Sequence, residues 1–131
     1  MFEELLNLNA NFTSIVRKTS KKYNITLPQA LILFHISIRG SSMSGLAARL
    51  GLDPSTITRN IEKLEFKNLL YRERAINDTR MIYVYKSAEG SRISSELEKK
   101  IETMLKCSID SVPELRDALQ TMNWNLEKET S

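Results

Sequence analysis

Leu46-Ala47-Ala48-Arg49-Leu50-Gly51-Leu52-Asp53-Pro54-Ser55-Thr56-Ile57-Thr58-Arg59 reads as two short helices joined by a glycine turn, the second opening with hydroxyls and an arginine. Ser42 can cap the first of these, over roughly Ser44 to Leu50, and Gly51 stands where helices commonly end in the left-handed conformation. Asp53 or Pro54 starts the second, proline being tolerated in a first turn because the N–H it lacks has no partner there. Ile57, Ile61 and Leu64 then form one apolar stripe, while Ser55, Thr56, Arg59 and Lys63 fall on the other side. This helix should end near Lys67-Asn68, since asparagine tolerates the left-handed cap.

Upstream, Phe2, Leu5, Leu8, Phe12, Ile15, Val16 and Tyr23 recur at helical spacing and predict one long amphipathic helix with a basic end at Lys21-Lys22. A further helix opens near Thr26 or Leu27 and runs through Ala30, Leu31, Leu33, Phe34 and Ile38 to Gly40; being apolar nearly all round, it should be central. Downstream, Leu69 to Arg74 and Met81 to Tyr85 read as two extended runs around the polar tip Ala75-Ile76-Asn77-Asp78-Thr79-Arg80. Ser87 precedes a fifth helix striped by Ile93, Leu97, Ile101 and Leu105. Ser111-Val112-Pro113-Glu114 has capping-box spacing and introduces a sixth, striped by Leu115, Ala118, Leu119, Met122 and Leu126. The predicted fold class is mainly α with a small β-hairpin: a winged helix-turn-helix lobe flanked by N- and C-terminal helices.

With 131 residues, 41% of them hydrophobic, the chain can bury one core and is too short for two ordinary domains. The lone Cys107 excludes an internal disulfide framework, and no Cys/His spacing suggests a metal site. The acidic start Met1-Phe2-Glu3-Glu4 is unlike a secretory signal, and no apolar run approaches the ~18 residues of a membrane span. A cytoplasmic protein away from the membrane is expected. Enzyme chemistry has no foothold: there is no phosphate-cradling glycine loop, no nucleophile with a base at motif spacing and no implied cofactor.

The net charge of +3 is unevenly spread. Arg39 to Lys86 holds nine basic and five acidic residues, whereas Ser87 to Ser131 holds six against nine. A basic middle suits a polyanion. Arg59 is the leading base reader, because a guanidinium can bind the O6/N7 edge of guanine with two hydrogen bonds, while Ser and Thr reach phosphates or the thymine methyl. The hairpin tip, with Asn77, Asp78 and Arg80, can lay a cation in the adjacent minor groove, Asp78 orienting the Arg80 guanidinium. An ordinary solvated helix face and a local Asp78/Arg80 pair are the plainer readings of each element alone; helix, turn, helix and basic hairpin in succession favour double-stranded DNA.

In this order and spacing the chain resembles the MarR-type winged helix-turn-helix regulators of bacteria and archaea. The resemblance runs from Leu27-Pro28-Gln29, through the stretch quoted above, to Ile61-Glu62-Lys63-Leu64-Glu65, Lys67-Asn68-Leu69-Leu70, Arg72, Asp78, Arg80 and Ser87-Ala88-Glu89-Gly90. It implies one domain over 1–131, with a DNA-binding lobe over 27–90 and dimerisation helices over 1–24 and 88–129. It further implies a homodimer straddling a pseudo-palindromic operator, a repressor of transcription, and a small-molecule effector that releases the DNA. Ser55, Thr56, Thr58, Arg59 and Lys63 would enter the major groove, Arg80 supported by Asp78 would serve the wing, and Ser42 would touch phosphate. Asn60, Asn68, Arg74 and Lys86 depart from the family pattern, and Arg74 lengthens the basic wing.

His35 on the apolar second helix reads as a packed or hydrogen-bonded core histidine, since one imidazole makes neither a metal site nor a catalytic pair. With Phe12 and Ile36 it is also a candidate for the ligand pocket that the resemblance implies. Cys107 reads as a buried structural cysteine rather than a redox switch. A rival from another class remains: a winged-helix module whose basic hairpin docks on an acidic protein partner without sequence-specific DNA binding.

Overall fold

The computed structural model describes residues 1–130. Its elements are α1 (Phe2–Lys21), α2 (Leu27–His35), β1 (Ser41–Ser42), α3 (Met43–Leu50), α4 (Pro54–Phe66), β2 (Leu70–Arg74), β3 (Ile82–Lys86), α5 (Ala88–Asp110) and α6 (Leu115–Thr130). The strands form one antiparallel sheet in the order β1-β3-β2, with Arg72 opposite Val84 and Ser41 opposite Val84 on its other side.

Local capping chemistry explains most boundaries. Thr26 and Gln29 close a capping box at the start of α2, Ser42 accepts from the Gly45 N–H at the start of α3, and Asp53 accepts from the Thr56 N–H at the start of α4. Gly51 and Asn68 take the left-handed conformation at φ 64° and 60°, as their positions after α3 and α4 require. One core gathers Val16 of α1, Ile32 and Leu33 of α2, Leu46 of α3, Ile57, Ile61 and Leu64 of α4, Val84 of β3 and Leu97 of α5. Burying each such aliphatic side chain stabilises the lobe by about 1.5–3 kcal/mol.

The structure corrects four readings. First, α2 stops at His35 instead of continuing to Gly40: Ile36 is extended, Ile38 is 99% exposed, and Gly40 turns at φ 88° with the Tyr85 ring against its backbone. The chain must turn there because Ser41 and Ser42 pair with β3, which makes the wing three-stranded; two serines carry no alternation that betrays a strand. Second, His35 lies on the surface, its Nδ1 donating to the Leu31 carbonyl at 2.7 Å, so it is hydrogen-bonded but not a core residue.

Third, the capping box at 111–114 does not form. Ser111 instead ends α5, its hydroxyl donating to Ser108 O at 2.6 Å, and Glu114, at φ 69°, is the residue before α6. Fourth, Cys107 is exposed, because the C-terminal half of α5 extends past the chain's own core. Among the described residues α6 contributes none to that core, and Phe2, Leu6, Leu8, Met104, Trp124 and Leu126 stand uncovered along α1, α5 and α6. No described helix is long and apolar enough to cross a membrane.

Candidate nucleic-acid interface

The α4 helix presents its polar side outward because its apolar stripe is fully committed: Ile57, Ile61 and Leu64 are each at most 1% exposed. Ser55, Arg59 and Lys63 are exposed on the opposite side, with Thr56 and Thr58 half-buried beside them. Asp53 organises the start of this surface. Its carboxylate accepts from the Ser55 hydroxyl at 2.5 Å and from the N–H and hydroxyl of Thr56, both at 2.9 Å. Those bonds, the Ser55 hydroxyl foremost, hold the carboxyl well below the usual carboxylate range. Thr58 donates to Pro54 O at 2.9 Å, and Arg59 Nη2 reaches Thr56 Oγ1 at 3.5 Å.

Asn60 faces inward, where the family pattern has an apolar residue. Its amide donates to Thr56 O at 3.0 Å, and its carbonyl lies 3.5 Å from Nε2 of Gln29, which is itself buried. A buried amide needs such a partner, so Asn60 matches Gln29 across α2 and α4. Beside this contact a groove of about 320 Å³ runs between the two helices, lined by Gln29, Arg59, Glu62, Lys63, Phe66 and Lys67.

The wing is closed at its tip and tied at its base. Asp78 Oδ1 accepts from the Arg80 N–H at 3.0 Å and from its Nε at 3.3 Å, leaving the Arg80 side chain 91% exposed. Arg74, expected as an extension of the basic surface, also fastens the tip through a 2.7 Å bond from Nη1 to Thr79 O. Asn77 is exposed beside it. At the base, Arg72 of β2 grips Glu65 of α4 with Nη2 to Oε1 at 2.8 Å and Nε to Oε2 at 3.5 Å, a forked contact that couples wing to helix.

Ser42 sits at the head of α3 with its oxygen already accepting from Gly45, so its hydroxyl proton is available to an outside acceptor. The three pocket candidates are not alike: Ile36 is in the core, whereas Phe12 and His35 are exposed. Sequence reasoning missed Asp53 as the organiser of the hydroxyls, although an Asp followed two and three residues later by Ser and Thr was the available signal. It also missed Gln29 as the partner of Asn60, for which separation along the chain leaves no local sign.

A helix-turn-helix with an exposed polar second helix, rigidly coupled to a basic wing, defines a winged-helix transcriptional regulator, and solved MarR-family regulators share this fold. Residues 14–97 match the family model described as transcriptional regulator SarA/Rot, and the chain belongs to that family. Over 106 residues it is 29% identical to the HTH-type transcriptional regulator MgrA of Staphylococcus aureus, covering 78% of this chain and 72% of that protein.

Among solved structures, it is similar to CouR from Rhodococcus jostii, bound to p-coumaroyl-CoA, with a TM-score of 0.80 and 21% identity over 94% of this chain and 86% of that one. It is also similar to the S. aureus MepR–DNA complex, with a TM-score of 0.75 and 16% identity over 100% and 98% of the two chains.

Proposed function

We propose that the protein is a homodimeric repressor that binds duplex DNA sequence-specifically, placing α4 in the major groove and the wing in the neighbouring minor groove. The observation that carries this reading is the rigid pairing of two DNA-facing elements, α4 through Arg59 and the wing through Arg80, by the Glu65–Arg72 fork. Ser55, Thr56, Thr58 and Lys63 extend the major-groove surface, and Ser42, Arg74 and Asn77 flank it.

Two copies related by twofold symmetry would address half-sites about one helical turn, ~10 bp, apart, hence a pseudo-palindromic operator. The uncovered apolar residues of α1, α5 and α6 support the dimer. Release by a small-molecule effector is supported by the CouR likeness in fold, with Phe12, His35 and Ile36 as its candidate contacts.

Titration of the protein with random duplex across a salt series tests the reading. Affinity should fall steeply and log-linearly with salt as phosphate contacts release counterions; no binding at low salt would turn the assignment toward an acidic protein partner. Arg59→Ala should cost about 1–3 kcal/mol and relax preference at a single base pair. Equal weakening on every sequence would reassign Arg59 to phosphate. Arg80→Ala should weaken binding while leaving the major-groove preference intact, and an unchanged isotherm would remove the wing from the interface.

A further inference from the structure

The start of α4 holds three hydroxyls, and each has one proton to give. Ser55 Oγ lies 2.5 Å from Asp53 Oδ1, Thr56 Oγ1 lies 2.9 Å from Asp53 Oδ2, and Thr58 Oγ1 lies 2.9 Å from Pro54 O. A carboxylate and a peptide carbonyl can only accept, so in all three bonds the hydroxyl is the donor and its proton is committed to Asp53 or Pro54. Toward an incoming ligand these oxygens offer lone pairs alone. One lone pair of Thr56 is already engaged by Arg59, whereas Ser55 is exposed at the edge of the surface.

Such a surface discriminates among base edges. Adenine N6 and cytosine N4 carry the amino donors of the major groove, whereas guanine N7 and O6, thymine O4 and the phosphate oxygens are acceptors and would face the hydroxyl oxygens unfavourably. We infer that Asp53 is a specificity-determining residue: by holding the Ser55 and Thr56 hydroxyl protons on its own carboxylate it makes the first turn of α4 an acceptor surface that reads the exocyclic amino group of adenine or cytosine. Phosphate anchoring then falls to cations and to Ser42, and Arg59, one turn further along, supplies the opposite polarity for guanine. The inference rests on the DNA-binding reading above and adds the chemistry of the base it selects.

Asp53 also caps α4, and its two roles separate in Asp53→Asn. Asparagine caps a helix as well as aspartate does, but it places an amide NH2, a donor, where one carboxylate oxygen stood. The asparagine oxygen must keep the Thr56 N–H and the Ser55 hydroxyl, so its amide NH2 meets Thr56 Oγ1, whose proton must turn outward. Selection of bound sequences from a random duplex pool should enrich adenine or cytosine at a fixed position in each half-site for the wild type.

Replacing that adenine by purine, which lacks only the amino group, or that cytosine by 2-pyrimidinone, should lower wild-type affinity about three- to tenfold, the worth of one hydrogen bond. The same replacement should cost folded Asp53→Asn less than twofold.

An identical enrichment profile for the wild type and for folded Asp53→Asn would overturn the inference. So would a wild-type site indifferent to loss of the amino group. Should Asp53→Asn melt early, Thr56→Val removes the acceptor hydroxyl, leaves the Thr56 N–H on the cap oxygen and must show the same loss of amino-group preference. A wild type that enriches no sequence would sink the DNA reading itself, a different failure from a sequence-specific protein insensitive to these changes.

Discussion

Gly90→Ala is expected to destabilise the protein by about 3 kcal/mol, the upper end for a side chain forced into a filled space. Gly90 is buried in the first turn of α5, and a Cβ there would stand 1.8 Å from the Leu69 carbonyl oxygen and 2.8 Å from the carbonyl carbon. The obstacle is backbone and cannot swing aside. Leu69 O also accepts the Ser87 N–H at 3.1 Å, and the Ser87 hydroxyl donates to Asn68 O at 2.6 Å, so the clash falls on the joint between the wing and α5.

Urea unfolding should show a lower midpoint at unchanged slope. Gly51→Ala provides the contrast: no atom lies within 4 Å of its added Cβ, and only the left-handed backbone, about 1–2 kcal/mol, opposes the change. Equal stability of Gly90→Ala and the wild type would mean that α5 does not sit on Leu69 as described.

The second large effect should come from a double variant outside α4 and the wing, Leu8→Glu on α1 with Trp124→Glu on α6. Both side chains are mostly uncovered in the single chain, at 56% and 60% exposure, so charges there cost the lobe itself little. In the proposed dimer the same charges would be buried without partners, which strongly disfavours association. Sedimentation should report a folded monomer. Affinity for a two-half-site operator should then fall about 10²- to 10⁴-fold, because the second half-site is no longer engaged intramolecularly. A double variant that retains the wild-type mass and affinity would show that these faces do not join two copies.

Much of the winged-helix lobe was legible because local rules govern it. Capping at Ser42 and Asp53, the left-handed turns at Gly51 and Asn68, and the Ile57–Ile61–Leu64 stripe are settled by neighbours a few residues apart, and the structure has each of them. The Asp78–Arg80 contact is of the same kind, two residues apart at the wing tip. Where a local rule met a competing long-range demand, it failed. The segment from Ile36 to Gly40 was read as a continuation of the helix, but pairing of Ser41 and Ser42 with β3 required a turn. Serine and glutamate at 111 and 114 had the right spacing for a cap, yet the chain used Ser111 to finish α5.

The amino-acid pattern thus determined the helix-turn-helix, the hairpin and the polarity of α4, since each depends on interactions over one or two turns of chain. Tertiary structure alone decided three further things: that Asn60 serves the buried Gln29, that Arg72 clasps Glu65 to lock wing to helix, and that His35 and Cys107 lie outside the core. These depend on which surfaces meet after collapse, and side chains brought together by packing leave no periodicity in the sequence. The polarity of the Ser55 and Thr56 hydroxyls stands between the two: Asp53 is near enough in the chain to be noticed, but only the folded geometry shows which way their protons point.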